Sequence, residues 1–524
     1  MIERAVENWL TNTNERNFQT PFCQVLMQHG HRVIYSSTHR STEQGKDIVT
    51  FDRNGDCCAF QLKTGKIDLA AWRKIAGQIA ELVEIPFNHP SVDKTKVHKS
   101  FLVTNGIIAD EVIRIVDDKN RDNLDKKRNF SYLDTISGSD LLHYFVEAQG
   151  QFLPSSLEDL HSFLDLFLAN GRDFLDKEKL FGFLDDRIFG DVVKRRSDAL
   201  NAISGSIILA SYLFRPYEVS ENYYALFEGW TALAASIVRY AHINDIKPEG
   251  WRPSFDLAFS EILRHLLVLR DEVLERQDFL EGDTLGDGSW MYRARATMVL
   301  GTLSALEVHL SHTEENYVPN ERVQALLREN GKILWFWGES AFPFFFHMLS
   351  FLELCGEKAM AAQLLTMMFL AAVNENSHED RGLPSPYYGP EAILELTLGL
   401  QTEPLDPRQF VRNSYILEAL ILMIVRRNGR SILEENWRKL SHISLYGFIP
   451  DKVEDTYTYL TEYGVNHRVF PKETQSWKEL VEEAHDFSHV PNLFRETNDL
   501  MRFLIIMLPH RVNKTIIGML DGDP

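Results

Sequence analysis

The chain has 524 residues, 44% hydrophobic and 25% charged. That is about three domains' worth at roughly 150 residues per domain, with the composition of a folded globular protein rather than a disordered or fibrous one. The formal net charge of −20 argues against a surface built along its whole length for a phosphate backbone.

Residues 1–147 read as mixed α/β. Phe18, Phe22, Val25, Leu26 and Met27 form a helical stripe that ends at Gly30, a suitable glycine just past a helix end. A first strand follows over 32–35, a second over 47–51 and a third over 57–63. Between the last two lies Arg53-Asn54-Gly55-Asp56, where Asn-Gly signals a hairpin. A helix over 69–85, a buried strand over 100–104 and a helix over 109–117 come next. The run 117–129 is dense in both signs of charge and reads as a solvated loop. A strand over 132–136 and a helix over 139–146 complete the domain.

The pattern changes around 149–156. Beyond it nearly everything reads as helix: 157–168, 197–212, 223–241, 255–274, 290–310, 333–354, 358–373, 414–427 and 477–484. Many of these windows are apolar on more than one face, so the helices are expected to pack in layers as a bundle or α-solenoid. The division expected is therefore a domain over 1–147 and an all-helical regulatory or interaction domain over 148–524, with room for two subdomains.

Charge divides along the same line. Residues 1–147 carry 19 Lys+Arg and 20 Asp+Glu, leaving 36 basic against 55 acidic residues and a net of −19 beyond them. Only the first part is electrostatically fit to approach nucleic acid. The acidic helical part suits a protein partner or self-association. Cys23, Cys57, Cys58 and Cys355 form no CxxC pair, and the adjacent Cys57 and Cys58 cannot make an ordinary disulfide. With no signal-like N-terminus and no apolar run of about 18 residues, a cytoplasmic protein without a membrane span is expected.

The chemistry-bearing constellation is Asp47, Gln61 and Lys63 on the central hairpin. Phosphodiester hydrolysis needs a hard divalent cation, oxygen ligands for it, and a positive charge near the attacking water or the phosphate. Asp47 and the side-chain carbonyl of Gln61 supply ligands, the backbone carbonyl of Leu62 a third, and Lys63 the charge. Side-chain parity constrains the turn. A two-residue Asn54-Gly55 turn sets Asp47 opposite Leu62, with Gln61 and Lys63 on the other face. A three-residue turn with a glycine bulge sets Asp47 opposite Lys63 and Val49 opposite Gln61, so all three polar groups share a face. The bulged turn is therefore expected. Lys46, Lys66, Arg73 and Lys74 are candidates for phosphate contact around the site.

Five segments in order carry a family resemblance. They are Phe18-Gln19, Phe22, Val25-Leu26 and Gly30-His31-Arg32-Val33; Gly45-Lys46-Asp47-Ile48-Val49; Phe60-Gln61-Leu62-Lys63; Leu102-Val103-Thr104-Asn105-Gly106; and Ser137-Gly138-Ser139-Asp140-Leu141-Leu142. Over residues 15 to about 145 the chain resembles the Mrr-like branch of the restriction-endonuclease-like PD-(D/E)xK nucleases. The resemblance implies a mixed sheet flanked by helices, Mg²⁺-dependent (or Mn²⁺-dependent) DNA cleavage, and often the restriction of foreign DNA. The family commonly has an acidic residue after the first-helix phenylalanine, where this chain has Gln19. Glu15, one helical turn earlier on the same face, is the candidate substitute. The alternatives are a non-catalytic interaction protein with a degenerate nuclease-like domain, and a nuclease acting on RNA or single-stranded DNA.

Overall fold

The computed structural model describes residues 7, 10–11, 13–37, 45–87, 92, 97–125, 130–149, 157–190, 196–276, 290–397, 411–459, 466–468 and 472–522. The chain divides into two compact units: Met1–Leu233 with Tyr240–Arg264, and Ala234–Arg239 with His265–Pro524. Among the described residues no helix is long and apolar enough to cross a membrane.

The first unit begins with α1 (Glu15–Gln28), whose first turn is capped by Asn14 accepting from the Asn17 amide. α1 ends as the apolar stripe requires. Gly30 turns left-handed at φ 88°, its N–H donates to the Met27 carbonyl, and the His31 N–H donates to that of Leu26. Five strands follow: β1 (Arg32–Ser36), β2 (Ile48–Phe51), β3 (Cys57–Lys63), β4 (Lys99–Thr104) and β5 (Leu133–Ile136), lying side by side in chain order. β1, β2 and β3 are antiparallel neighbours, whereas β3, β4 and β5 run parallel. The parallel connections are made by α2 (Leu69–Glu84) and α3 (Asp110–Asp125), and α4 (Gly138–Gln149) follows β5.

Both faces of the sheet are covered, which accounts for the nearly unbroken apolar runs in its central strands. One face packs Ile48, Phe60, Leu62 and Val103 against Phe18 and Phe22 of α1 and Leu141 and Phe145 of α4. The other packs Val49, Ala59 and Leu102 against Trp72, Ile79 and Leu82 of α2 and Val112 and Val116 of α3. The first face does not end with this domain. Ile208, Tyr212 and Leu257, from the helices Arg196–Leu213 and Pro248–Glu275, belong to the same core. On the same unit, Thr20 of α1 donates to Glu261, and Ser254 donates to the Gln24 side-chain oxygen at 3.0 Å.

Two local expectations for this unit are corrected. The charged run from 117 is helix as far as Asp125, because Asn120 is buried and its carboxamide bonds both the carbonyl (2.8 Å) and the amide (3.1 Å) of Leu133. Residues 126–129 lie outside the described residues. The hairpin lacks the expected three-residue bulged turn. Phe51 pairs with Cys57 and Ile48 with Phe60, so residues 52–56 form the connection and Val49 faces Ala59 rather than Gln61. The cause is Asp52. Its carboxylate accepts the amides of Asn54 (2.9 Å) and Asp56 (3.0 Å), and its own N–H donates to the Asp56 carbonyl at 2.9 Å. Gly55, at φ 79°, completes a five-residue loop instead. The pairing of residues 48–51 moves by two positions, so the parity of their side chains is unchanged.

The second unit is mostly helical but not wholly so. A small sheet of β6 (Asn413–Ser414), β7 (Ser444–Phe448) and β8 (Asn466–Arg468) departs from the helical pattern. The helix expected from 414 starts at Leu417, because the Ser414 hydroxyl accepts the Leu417 amide at 3.1 Å. The helix expected from 333 starts at Phe342, with Pro343 in its first turn. The preceding segment is held instead by Arg293, whose Nε donates to the Ile333 carbonyl at 2.8 Å, and by Thr297, which accepts the Trp335 amide at 2.9 Å.

Candidate functional site

The site grows from the point where β2 begins. Asp47 directly precedes Ile48 and breaks the regular ladder: its N–H donates to the Phe60 carbonyl of β3 at 2.8 Å, while its carbonyl accepts from Ser37, just past β1, at 2.7 Å. Its side chain turns toward β3. Oδ2 accepts the Gln61 side-chain amide at 2.6 Å and the Leu62 backbone amide at 2.6 Å. Asp47 and Gln61 are 9% and 4% exposed, so these bonds are made largely away from water, where an unmade one would be costly. In an extended strand the N–H and C=O of one residue point to the same side. The Leu62 carbonyl therefore faces the same edge as its N–H, toward Asp47.

Lys63 is the last residue of β3, and its ammonium lies 3.5 Å from Oε2 of Glu15 in the first turn of α1. The Lys63 side chain is 14% exposed and that of Glu15 39%, so the pair stands at a mouth rather than in the core. The structure thus gathers Glu15, Asp47, Gln61 and Lys63 at one end of the central hairpin.

Gln19 does something else. It is buried, and its Nε2 donates to the Ser36 hydroxyl at 2.8 Å and the Ser37 carbonyl at 3.0 Å. Since Ser37 in turn donates to the Asp47 carbonyl, Gln19 pins the end of β1 against which Asp47 is laid. No sequence motif marks Ser36 and Ser37; only the pairing of β1 with β2 reveals them.

Of the four basic residues considered for phosphate contact, Lys66, Arg73 and Lys74 are exposed. Lys46 is not: it is fully buried, with Nζ 3.2 Å from the Glu81 carbonyl. Burial pushes its ammonium pKa down to about 8, against the opposing pull of Glu81 and Cys57. It is a core lysine under α2.

Among the described residues no group of three or more His, Cys, Asp or Glu side chains is placed to hold a metal ion. The donors at the hairpin are of another kind: one buried carboxylate, one carboxamide, one strand carbonyl and a more distant second carboxylate. All are hard oxygen donors of the type Mg²⁺ and Mn²⁺ take, and their number suits an ion that keeps several waters. The Gln61 carboxamide now turns its NH₂ toward Asp47, so serving as a ligand requires it to present its oxygen instead. In chemical type the set fits such a cation.

The chain matches no family model, no curated protein and no solved structure.

Proposed function

We propose that the first unit is a metal-dependent endonuclease acting on duplex DNA, with its site at Asp47, Gln61, Leu62, Lys63 and Glu15. The observation that carries this reading is the convergence of those side chains, from two strands and a helix, on the open end of one hairpin. The order of strands and helices and the resemblance of residues 15 to about 145 to the Mrr-like nucleases support it.

Asp47, Gln61 and the Leu62 carbonyl would hold a Mg²⁺ or Mn²⁺ ion, which when bound supplies charge neutralisation at the phosphate and a more acidic water. The protein's own part is positioning. Lys63 directs its ammonium at the phosphate oxygens, where negative charge grows as the phosphorus–oxygen bond breaks. Glu15 holds that ammonium in place. Gln19, through Ser37, fixes the backbone from which Asp47 projects. The role in restriction or anti-phage defence follows from the resemblance alone. Control of the nuclease by the acidic helical part, through a protein partner or self-association, rests on the charge division.

One observation favours a second reading. Asp47 and Lys63 already have protein partners, as they would in a self-satisfied polar cluster of a non-catalytic DNA-binding or scaffolding module. Plasmid incubation with Mg²⁺ or Mn²⁺ separates the two. Metal-dependent cleavage by the full chain that falls by about 100-fold or more in both Asp47→Ala and Lys63→Ala supports the enzyme. Cleavage surviving both substitutions excludes this site, and cleavage of RNA or single strands alone moves the substrate to those classes.

A further inference from the structure

We propose that Asn105 is a positioning residue of this site: its single carboxamide sets Glu15 and Lys63 against each other. Its catalytic meaning rests on the nuclease reading above, whereas its positioning role does not.

Asn105 follows directly on β4, whose last residue, Thr104, pairs with Lys63 across the parallel ladder. It is 8% exposed. Its Oδ1 accepts the amide of Gly65, two residues beyond Lys63, at 2.7 Å. Its Nδ2 donates to the carbonyl of Leu10 at 2.6 Å and to that of Thr13, two residues before Glu15, at 3.0 Å. One side chain therefore clamps the segment leading into α1 to the loop leaving β3. Those two backbones carry the two partners of the Glu15–Lys63 ion pair.

The surroundings leave the clamp little slack. The Thr104 hydroxyl donates to the Gly65 carbonyl at 2.7 Å and accepts from the Gly106 amide at 3.1 Å, so Gly65 is held from both its N–H and its C=O. A methyl group on Gly106 would stand 2.2 Å from the Gly65 carbonyl oxygen, so the two backbones are in close contact. Only a carboxamide fits: asparagine supplies one acceptor and two donors on a short stem, and all are used. An aspartate of the same shape would turn an oxygen toward two carbonyls.

Site-resolved labelling of lysines by an amine-reactive reagent, read by peptide mass spectrometry on the full chain, tests this without recourse to activity. Lys63 is held by Glu15 and the exposed Lys66 serves as internal reference. Glu15→Gln is expected to raise the Lys63 labelling rate relative to Lys66 about threefold, the scale of releasing a half-exposed ion pair. Asn105→Ala and Asn105→Asp are expected to raise it as much, and the double variants with Glu15→Gln no further. A Lys63 rate in the Asn105 variants equal to wild type, or rises that simply add to that of Glu15→Gln, would overturn the proposal. Should neither variant fold, amide hydrogen exchange on the wild-type protein decides. Gly65 lies on the surface, so slow exchange of its amide is expected only if Asn105 holds it, and fast exchange overturns the clamp. Positive labelling together with plasmid cleavage that survives both Asp47→Ala and Lys63→Ala sinks the nuclease site and leaves the positioning role standing.

Discussion

A single buried carboxamide shows how far chemistry at one position departs from family expectation. Where the resemblance leads one to look for an acid, Gln19 donates its amide protons to the Ser36 hydroxyl and the Ser37 carbonyl. A carboxylate cannot donate, and the Ser37 carbonyl cannot turn donor, so Gln19→Glu buries an unpaired charge against an oxygen. The expected result is a loss of about 1–3 kcal/mol in stability, seen as a lower urea midpoint at pH 7 and recovered in part on acidification. A midpoint at or above wild type would show that the position tolerates the acid. Glu15 was legible from sequence because helical spacing places it on the face of Gln19. What Gln19 itself does was not, since Ser36 and Ser37 reach it only through the pairing of β1.

Between elements, the hairpin shows which part of a prediction survives and why. Asp47 and Gln61 were expected together from alternation; they do meet, but because Asp47 turns its carboxylate toward β3 at a break in the ladder, where it takes the Gln61 and Leu62 amides. The register was not foreseen, because the Asp52 carboxylate closes a longer loop than the Asn-Gly signal implies, with Lys99 bridging Asp52 and Asp56 at 2.7 and 2.9 Å. In the second unit the comparable joint is Glu339. Fully buried, it takes the Ser414 hydroxyl at 2.5 Å, the Tyr415 amide at 2.8 Å and the Asn376 amide at 3.2 Å, joining a 3₁₀ turn, a helix end and β6. Desolvation outweighs these donors and pushes its carboxyl up to about 7 from 4.5. The folded protein thus binds this proton more tightly than the unfolded chain. The stabilisation is complete below pH 4.5 and is lost as pH rises through 7, amounting to about 3 kcal/mol. Glu339→Gln cannot titrate. The stability difference between wild type and variant should therefore shift by about that amount, to the wild type's disadvantage, from pH 4.5 to 8. A difference constant across that range would show that Glu339 is charged throughout.

For the whole molecule, the charge division was plain in the sequence and has a consequence for DNA. With a net of −19 beyond residue 147, any attraction to a phosphate backbone must come from the nearly neutral first part. There Lys66, Arg73 and Lys74 are exposed, on α2 and just before it. Replacing all three with glutamate in the full chain should weaken duplex binding at low salt and flatten its salt dependence by about 0.9 in log–log slope for each phosphate no longer neutralised. An unchanged slope would place the DNA elsewhere. The mostly helical character of this part was legible in its long apolar windows. The sheet of β6, β7 and β8 was not, because strands of two to five residues are too short to show a period.

The change of pattern near residue 147 suggests a place to cut the chain, yet the packing of α1 argues against it. The helix that presents Glu15 also lends Phe18 and Phe22 to a core shared with Ile208, Tyr212 and Leu257, and its Thr20 and Gln24 are bonded to Glu261 and Ser254. A fragment ending there would retain every residue of the hairpin centre while stripping the far side of its first helix to water. The smallest piece worth expressing on its own therefore runs to Arg264.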